Sequence, residues 1–278
     1  MQIYHFSNAL GYTLEQLNEM HNASFQGYFV PIMMTPEITA DFWRTNQIDA
    51  LRSVVMHDEA GAFVGMARMG TRGKRGWCGG FGIVPEFRSR GASTLLAEQM
   101  VRVARETGLD TLQLEVLTQN VRAIKLYERV GFTTTRRLLG LEIATSALPV
   151  GSATRRSEPI AREALLSSLA GGDQPCWGNE LSSILAGSSE AIIAIGPDGR
   201  INGVVLQRGD DKIRIQALLL QSKLTKEELA SLLQQAAGSA SSIQVYNEPE
   251  ESLPLARYRA LGFAEFFSQY EMFMKLSG

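Results

Sequence analysis

Cysteine is nearly missing from this chain, with Cys78 and Cys176 the two among 278 residues. Neither belongs to a C-x-x-C pair or a nearby Cys/His cluster, which excludes a disulfide framework and points to two reduced thiols and no metal site. An excess of either charge is missing too: Lys+Arg 27 stands against Asp+Glu 29, a formal charge of −2. That balance gives no global attraction to nucleic acid or to an anionic membrane, so any anion site has to be local. Long apolar runs are absent as well; Ala217 to Leu220 is among the longest, against the roughly 20 residues a spanning helix needs. The opening MQIYHFSNAL has no basic stretch followed by an apolar one, so no leader is expected. These absences lead to the expectation of a soluble, cytoplasmic protein with neither nucleic acid nor membrane as partner.

What the chain has is regular patterning over a length that suits two domains. Leu14, Leu17 and Met20 recur at helical spacing, and Pro36 begins a second helical stretch through Ile48. Arg52 to Met56 and Phe63 to Met69 flank the turn DEAG as a hairpin, and a third strand follows near Trp77 to Val84. The basic turn TRGKRG between the last two reads as a solvated hairpin tip. Ser93 to Thr107 places Leu96, Met100 and Val103 on one face of a helix that Gly108 ends. Leu112, Leu114 and Val116 alternate as a strand. Ala123, Tyr127 and Val130 share a face of a further helix ended by Gly131, and a strand through Ile143 is expected to close the unit. Thr145 to Glu158 turns small and polar, which suits a linker. The expected domains are 1–146 and 159–278, joined by 147–158.

The second half repeats the first. IQVYNEPEESLPLARYRALGF set under LQLEVLTQNVRAIKLYERVGF brings Ile243 to Leu112, Tyr258 to Tyr127, Gly262 to Gly131 and Phe263 to Phe132 without a gap. Carried upstream, the same offset puts Ile215 on Val84 and sets Leu219, Gln221 and Ser222 under Arg88, Arg90 and Gly91. A small shift brings Gly203 to Gly65. The second copy has no glycine-bearing turn at that place, so it reads as a retained fold with an emptied site.

Arg88 to Ser93 (RSRGAS) joins a strand to a helix, and such a turn aims backbone N–H groups and the positive end of the helix dipole at one spot. Gly91 allows close approach, and the small Ala92 and Ser93 keep side chains away. An anion is the natural occupant. Thirty residues on, Asn120 is placed to cap the next helix, and Tyr127 lies on its apolar face.

Together the two clusters resemble the GNAT superfamily of acyl-CoA-dependent N-acetyltransferases. Its signature is R/Q-x-x-G-x-G/A at a strand-to-helix turn, followed by N-x-x-A-x-x-x-Y-x-x-x-G-F. Arg88, Gly91, Asn120, Ala123, Tyr127, Gly131 and Phe132 match; Ser89 and Ser93 depart from the usual small residues. The resemblance implies an α/β (α+β) fold of two tandem domains, each a mixed, mostly antiparallel sheet flanked by helices. It implies that acetyl-CoA is the cosubstrate, held by Arg88, Ser89, Arg90, Gly91, Ala92 and Ser93 with Asn120 and Ala123. It further implies an oxyanion donor among the N–H groups of Ile83 or Val84, and a proton on Tyr127 for the departing thiolate. The residue types suit direct attack of an amine on a thioester, which needs no nucleophilic cysteine.

The attacking ammonium must lose a proton, and Glu115, on the strand before the signature helix, is the candidate base; Glu86 competes as a turn carboxylate, and water could relay the proton instead. His5, His21 and His57 stand alone in unrelated segments. Phe25, Tyr28, Phe29, Trp43 and Arg44 flank the loop between the opening helices and are candidates to wall a pocket for a small-molecule or peptide amine. The competing expectation is a non-enzymatic acyl-CoA sensor or scaffold. Two similar domains suit either a pseudo-symmetric monomer or a homodimer.

Overall fold

The computed structural model describes residues 3–30, 32–149, 157–160, 174–195, 200–221 and 223–276. The chain divides into two units, Met1–Thr135 with Tyr270–Gly278, and Arg136–Gln269.

Unit 1 opens with β1 (Tyr4–Asn8), then α1 (Leu14–Ser24) and α2 (Pro36–Thr45). Thr13 starts α1 through a capping box with Gln16, and Thr35 starts α2 with Pro36 in its first turn, so both helix starts satisfy their own amides. An antiparallel run follows: β2 (Val54–Asp58), β3 (Phe63–Arg72) and β4 (Arg75–Ile83), with β1 on the outer side of β2. A turn leads to α3 (Ala92–Glu106), then β5 (Thr111–Leu117), parallel to β4, and α4 (Val121–Val130). Leu96, Met100 and Ala104 of α3 are fully buried against Leu112 and Leu114 of β5 and Met69 of β3. The sequence pattern did not announce β1, because YHFSN is a short outer strand with no fully buried residue.

Unit 2 holds β6 (Thr133–Ala144) from its fourth residue on, then β7 (Ser157–Ile160), α5 (Leu181–Ala186), β8 (Glu190–Ile195), β9 (Ile201–Arg208) and β10 (Lys212–Leu220). Next come α6 (Lys226–Ala237), β11 (Ser242–Pro249), α7 (Leu253–Leu261) and β12 (Ala264–Lys275). β7 to β10 are successively antiparallel, β10 and β11 are parallel, and β11 pairs antiparallel with β6. The parallel pairing thus sits at the same place in the order of elements as that of β4 with β5.

The closing strands differ from the expectation. Leu139, Leu141 and Ile143 alternate as expected, but they belong to the core of unit 2, because β6 pairs with β11 from Ala144 opposite Ser242 to Leu138 opposite Pro249. Unit 1 is closed by the end of β12 instead: Met272, Met274 and Leu276 are buried in its core. There the Leu276 N–H donates to Asp110 O at 2.9 Å, and Thr135 Oγ1 donates to Glu271 O at 3.0 Å. The division between units accordingly falls at Thr135/Arg136 rather than at 146. Of the expected linker, residues 150–156 lie outside the described residues, and Ser157 and Glu158 begin β7.

Met272 is fully buried in the unit 1 core, so Met272→Ala is expected to cost about 2–5 kcal/mol. A chain ending at Gln269 is expected to lose the cooperative unfolding of unit 1. Urea denaturation followed by tryptophan fluorescence reads both; unchanged midpoints would mean that the last strand does not complete this core.

Candidate functional site

β4 and β5 run side by side from Arg75 opposite Thr111 to Cys78 opposite Leu114, and their pairing stops there. The cause is on the other edge of β4, where the register with β3 shifts between Met69 opposite Cys78 and Arg68 opposite Gly80, leaving Gly79 as a bulge. A bulge bends its strand and increases its twist. Glycine is needed at both positions: a Cβ at Gly79 would lie 2.2 Å from the Trp77 ring, and one at Gly80 would lie 2.3 Å from the Arg68 guanidinium.

Beyond the bulge the backbone of β4 faces two ways. The Val84 N–H donates to Val64 O at 2.9 Å, so it is spent on β3. Alternation then turns the polar groups of Ile83 and Phe81 away from β3, into the gap beside β5. Ile83 O is on that side, where it accepts from Arg88 Nε at 2.8 Å. Of the two expected oxyanion donors, Ile83 therefore has its amide turned to the gap and Val84 does not.

The chain leaves β4 through a short 3-10 turn (Pro85–Phe87) and reaches α3 with Ser89 at φ 62 and Gly91 at φ 85. Ser89 in the left-handed region is strained for a serine, whereas glycine takes that conformation freely. The start of α3 is bare. Thr13, Thr35, Asn120, Thr225 and Ser252 each cap a helix from a side chain, whereas Gly91 offers none and the first turn of α3 carries no acid. The Thr94 and Leu95 N–H groups fold back on Gly91 O, and those of Ala92 and Ser93 lie at the tip. The Ala92 methyl is fully buried in the core, Ser93 is half-buried, and Ser89 and Arg90 are exposed.

Arg88 anchors the turn. Its guanidinium donates to Ile83 O, to Ser24 O at 3.1 Å and to Gln26 O at 2.7 Å. Through Nε and Nη2 it ties the turn to the end of α1.

Asn120 caps α4, accepting from the Ala123 N–H at 3.2 Å, and also hydrogen-bonds Tyr28 of the opening loop. Ala123 packs against the core. Tyr127 stands between the rings of Phe81 and Phe132, each centroid 5.8 Å away. Gly131 (φ 107) ends the helix, and the Phe132 N–H returns to Tyr127 O at 2.9 Å. Among the described residues no protein group hydrogen-bonds the Tyr127 hydroxyl. Burial, then nearby Cys78 and Tyr28, push its pKa well above 10. Burial likewise pushes the Cys78 thiol up to about 11, so the one cysteine of this region is a neutral thiol.

Glu115 lies on the opposite face of β5 from Leu114 and Val116, and its Oε2 accepts from Trp77 Nε1 at 2.6 Å. Glu86 is exposed in the turn after β4. Phe25, Tyr28 and Phe29 form a chain of edge-to-face rings, while Trp43 packs in the core under α1 and α2, and exposed Arg44 pairs with Asp41. The basic turn is engaged too: Arg72 donates to Gln47 at 2.7 Å and Lys74 lies 3.7 Å from Asp110. Sequence reasoning missed Gly79, Gly80 and Phe81; a glycine pair inside a strand was the available signal of a bulge.

The repeat is clearest by register. Unit 2 has the same bulge, at Gln216, and its parallel pairing ends at Ile215 opposite Val245. Ile215 therefore matches Cys78 rather than Val84, and Asn202 rather than Gly203 matches Gly65. The helix starts set Thr225, not Ser222, against Gly91. The slip arises because the turn between strand and helix is shorter in unit 2. That helix is sealed: Thr225 and Glu228 cap each other at 2.9 and 3.1 Å, with Glu227 beside them. Tyr258, Gly262 (φ 98) and Phe263 repeat the other motif, with Tyr258 buried.

A strand parting from its parallel neighbour and leading into a bare helix start leaves backbone N–H groups and the positive end of a helix dipole unspent, the arrangement that suits an anion. Residues 14–132 match the Acetyltransferase (GNAT) family. The mycothiol acetyltransferase of Propionibacterium freudenreichii subsp. shermanii is 28% identical over 155 residues, 54% of this chain and 49% of that protein, so the match spans about half the relative's length. A GCN5-related N-acetyltransferase from Sphaerobacter thermophilus shares the fold with a TM-score of 0.73 at 14% identity, covering 99% of this chain and 96% of that one. A tandem GNAT protein from the clavulanic acid biosynthesis pathway does so with a TM-score of 0.69 at 12% identity, covering 100% and 99%. Residues 14–132 are thus similar to the GNAT acetyltransferases in sequence, and over its whole length the chain shares the fold of the tandem GNAT protein. No helix among the described residues is long and apolar enough to cross a membrane.

His21, fully buried on α1, donates through Nε2 to Ile32 O at 2.8 Å; burial, with the charge of Arg68, lowers its pKa from 6.5 to about 4. The unfolded chain then binds a proton near pH 6.5 that the folded chain refuses until about pH 4, so stability falls on acidification through that window. The loss should reach roughly 3 kcal/mol at about 1.4 kcal/mol per unit. Urea midpoints at pH 7 and 4.5 should differ less in His21→Gln than in the wild type; equal differences would contradict the assignment.

Proposed function

We propose that unit 1 transfers an acetyl group from acetyl-CoA to a primary amine by direct attack in a ternary complex. The observation that carries this reading is the gap between β4 and β5 leading to the bare start of α3. In this reading the Ala92 and Ser93 amides and the helix dipole take the pyrophosphate, with Gly91 and Ser89 letting the backbone approach. The amides of Phe81 and Ile83, turned into the gap, line the pantetheine arm and the thioester oxygen. Phe81 joins the expected residues, Val84 leaves them as an amide donor, and Arg88 acts by holding the turn. Asn120 and Ala123 shape the far wall through the start of α4.

The amine nitrogen bonds to the thioester carbon, the carbonyl oxygen becomes an oxyanion facing a backbone donor, and the C–S bond then breaks. Tyr127 is protonated at neutral pH because burial raises its pKa. A thiolate of pKa about 8.5 is the weaker base, so the phenol stabilises the departing sulfur through a hydrogen bond rather than by complete transfer. Glu115 takes the proton the ammonium must lose, directly or through water, with the Trp77 indole holding its carboxylate in place. Cys78 stays out of the reaction as a neutral thiol, so no acyl-enzyme forms. Unit 2 has two carboxylates and a threonine cap where the cradle would be, which supports a single acetyl-CoA site per chain.

Calorimetric titration with acetyl-CoA should show one site in the wild type, with affinity at least about tenfold weaker in Gly91→Trp, since a bulky residue is strained at φ 85. Equal affinity would sink the cradle. Thiol release over a panel of amines should fall about 10²-fold in kcat for Tyr127→Phe, the usual worth of a general acid. Unchanged turnover at saturating acetyl-CoA removes Tyr127 from the mechanism, and binding without thiol release from any amine favours the sensor reading.

A further inference from the structure

Arg68 lies on the face of β3 covered by α1 and α2, the opposite face from Ala67 and Met69 of the core under α3. It is 3% exposed, and among the described residues no carboxylate lies within ion-pair distance of it. Its guanidinium stacks on Phe42 at 4.5 Å, reaches Gly79 O at 3.3 Å and approaches the Met34 sulfur at 3.9 Å, while Nε has no acceptor. A second buried polar atom nearby also lacks a partner: Nδ1 of His21, 1% exposed, whose charge state Arg68 influences. With Nε2 donating to Ile32 O, Nδ1 presents a lone pair. One place thus holds an unsatisfied donor and an unsatisfied acceptor.

The fold itself does not require this cation. By strand register Arg68 opposite Gly80 corresponds to Val205 opposite Ala217, each beside the bulge. Unit 2 builds the same strand geometry with a buried valine. Burying a guanidinium without a counter-charge is costly, and Gly80 is the residue whose missing Cβ makes room for it.

The position and the chemistry together select the partner. Arg68 touches the bulge where β4 leaves β5, bonding Gly79 O next to Cys78; its charge bears on Cys78, and Cys78 in turn bears on Tyr127. The place therefore adjoins the reacting atoms on the side of α1 and α2. A single planar guanidinium, with neither lysine nor bare helix start beside it, suits a planar monoanion, and the weakly accepting Met34 sulfur is readily displaced by one. So close to the attacking nitrogen, the anion and the amine belong to one small molecule. We infer that the acceptor is an amino acid whose carboxylate pairs with Arg68, an inference that rests on the acetyl transfer proposed above. An amino acid supplies both missing partners, a carboxylate for Arg68 Nε and an N–H for His21 Nδ1.

The test compares the common L-amino acids with their carboxamides in thiol release by the full-length chain at saturating acetyl-CoA, which needs no variant. At least one amino acid should be turned over with kcat/KM tenfold or more above its amide. In Arg68→Lys, which keeps the charge and loses the fork, KM for that amino acid should rise at least tenfold with kcat within about threefold and acetyl-CoA affinity unchanged, while the amide is unaffected. Equal use of acids and amides, or an equal loss for both in Arg68→Lys, overturns the inference. Should no amine release thiol, acetyl transfer fails, and calorimetry of the same amino acids with the acetyl-CoA-bound chain decides the site separately: carboxylate-dependent binding lost in Arg68→Lys sustains it, and no binding overturns it.

Discussion

The bulge at Gly79 is the constraint on which the rest of unit 1 depends. One extra residue in β4 ends its pairing with β5 after Cys78, and everything functional follows from the gap that opens. The amides of Phe81 and Ile83 face into it because β3 has already taken those on the other side. The turn after β4 then delivers the chain to the start of α3, and Arg88 fixes that turn by bonding back to Ile83 and across to the end of α1. Without Gly79 and Gly80 the side chains of Trp77 and Arg68 could not lie where they do. The glycines thus serve the strand geometry and the packing of Trp77 and Arg68 at once.

The two units are built alike and differ at few places. Both keep a bulge, a parallel pair that stops short, and a tyrosine one turn before a left-handed glycine and a phenylalanine. These features belong to the architecture: Tyr258 is as buried as Tyr127, and Phe263 returns to it by the same backbone bond as Phe132 does to Tyr127. The difference is concentrated at one helix start. Gly91 leaves the amides of α3 bare, whereas Thr225 and Glu228 satisfy those of α6 and set negative charge against its dipole.

Much of this was legible in the sequence, and the remainder was hidden for physical reasons. Gly91 after a strand, and Tyr127 four residues before Gly131, carry local conformational demands, so their neighbours in sequence reveal them. Leu139, Leu141 and Ile143 also declare a strand, but alternation tells which face is buried and not which neighbour is paired. That is why the closing strand could be expected in the wrong unit, although the strand through Ile143 was itself expected. That the Val84 amide is spent on Val64, and that Arg88 bonds Ser24 and Gln26, was hidden for a related reason: these partners are distant in sequence. Nothing local to the strand Phe63–Arg72 marks the burial of Arg68, which depends on Phe42 and Met34 of distant segments.

Burial acts in one direction on the groups around the gap. It raises the Cys78 thiol and the Tyr127 phenol and lowers the His21 imidazole, and in each case it favours the neutral form. Arg68 is affected too, lowered to about 10, yet it keeps its charge at neutral pH. The field inside the gap is therefore that of one buried cation and the positive end of α3, opposed at its edge by half-buried Glu115. Such a field favours an anionic cosubstrate and an oxyanion forming on the thioester, and it disfavours a cationic amine until that amine has lost its proton. In the proposed transfer this field adds to the pull of Glu115 on the acceptor's proton, and the carboxylate of the proposed acceptor offsets the charge of Arg68.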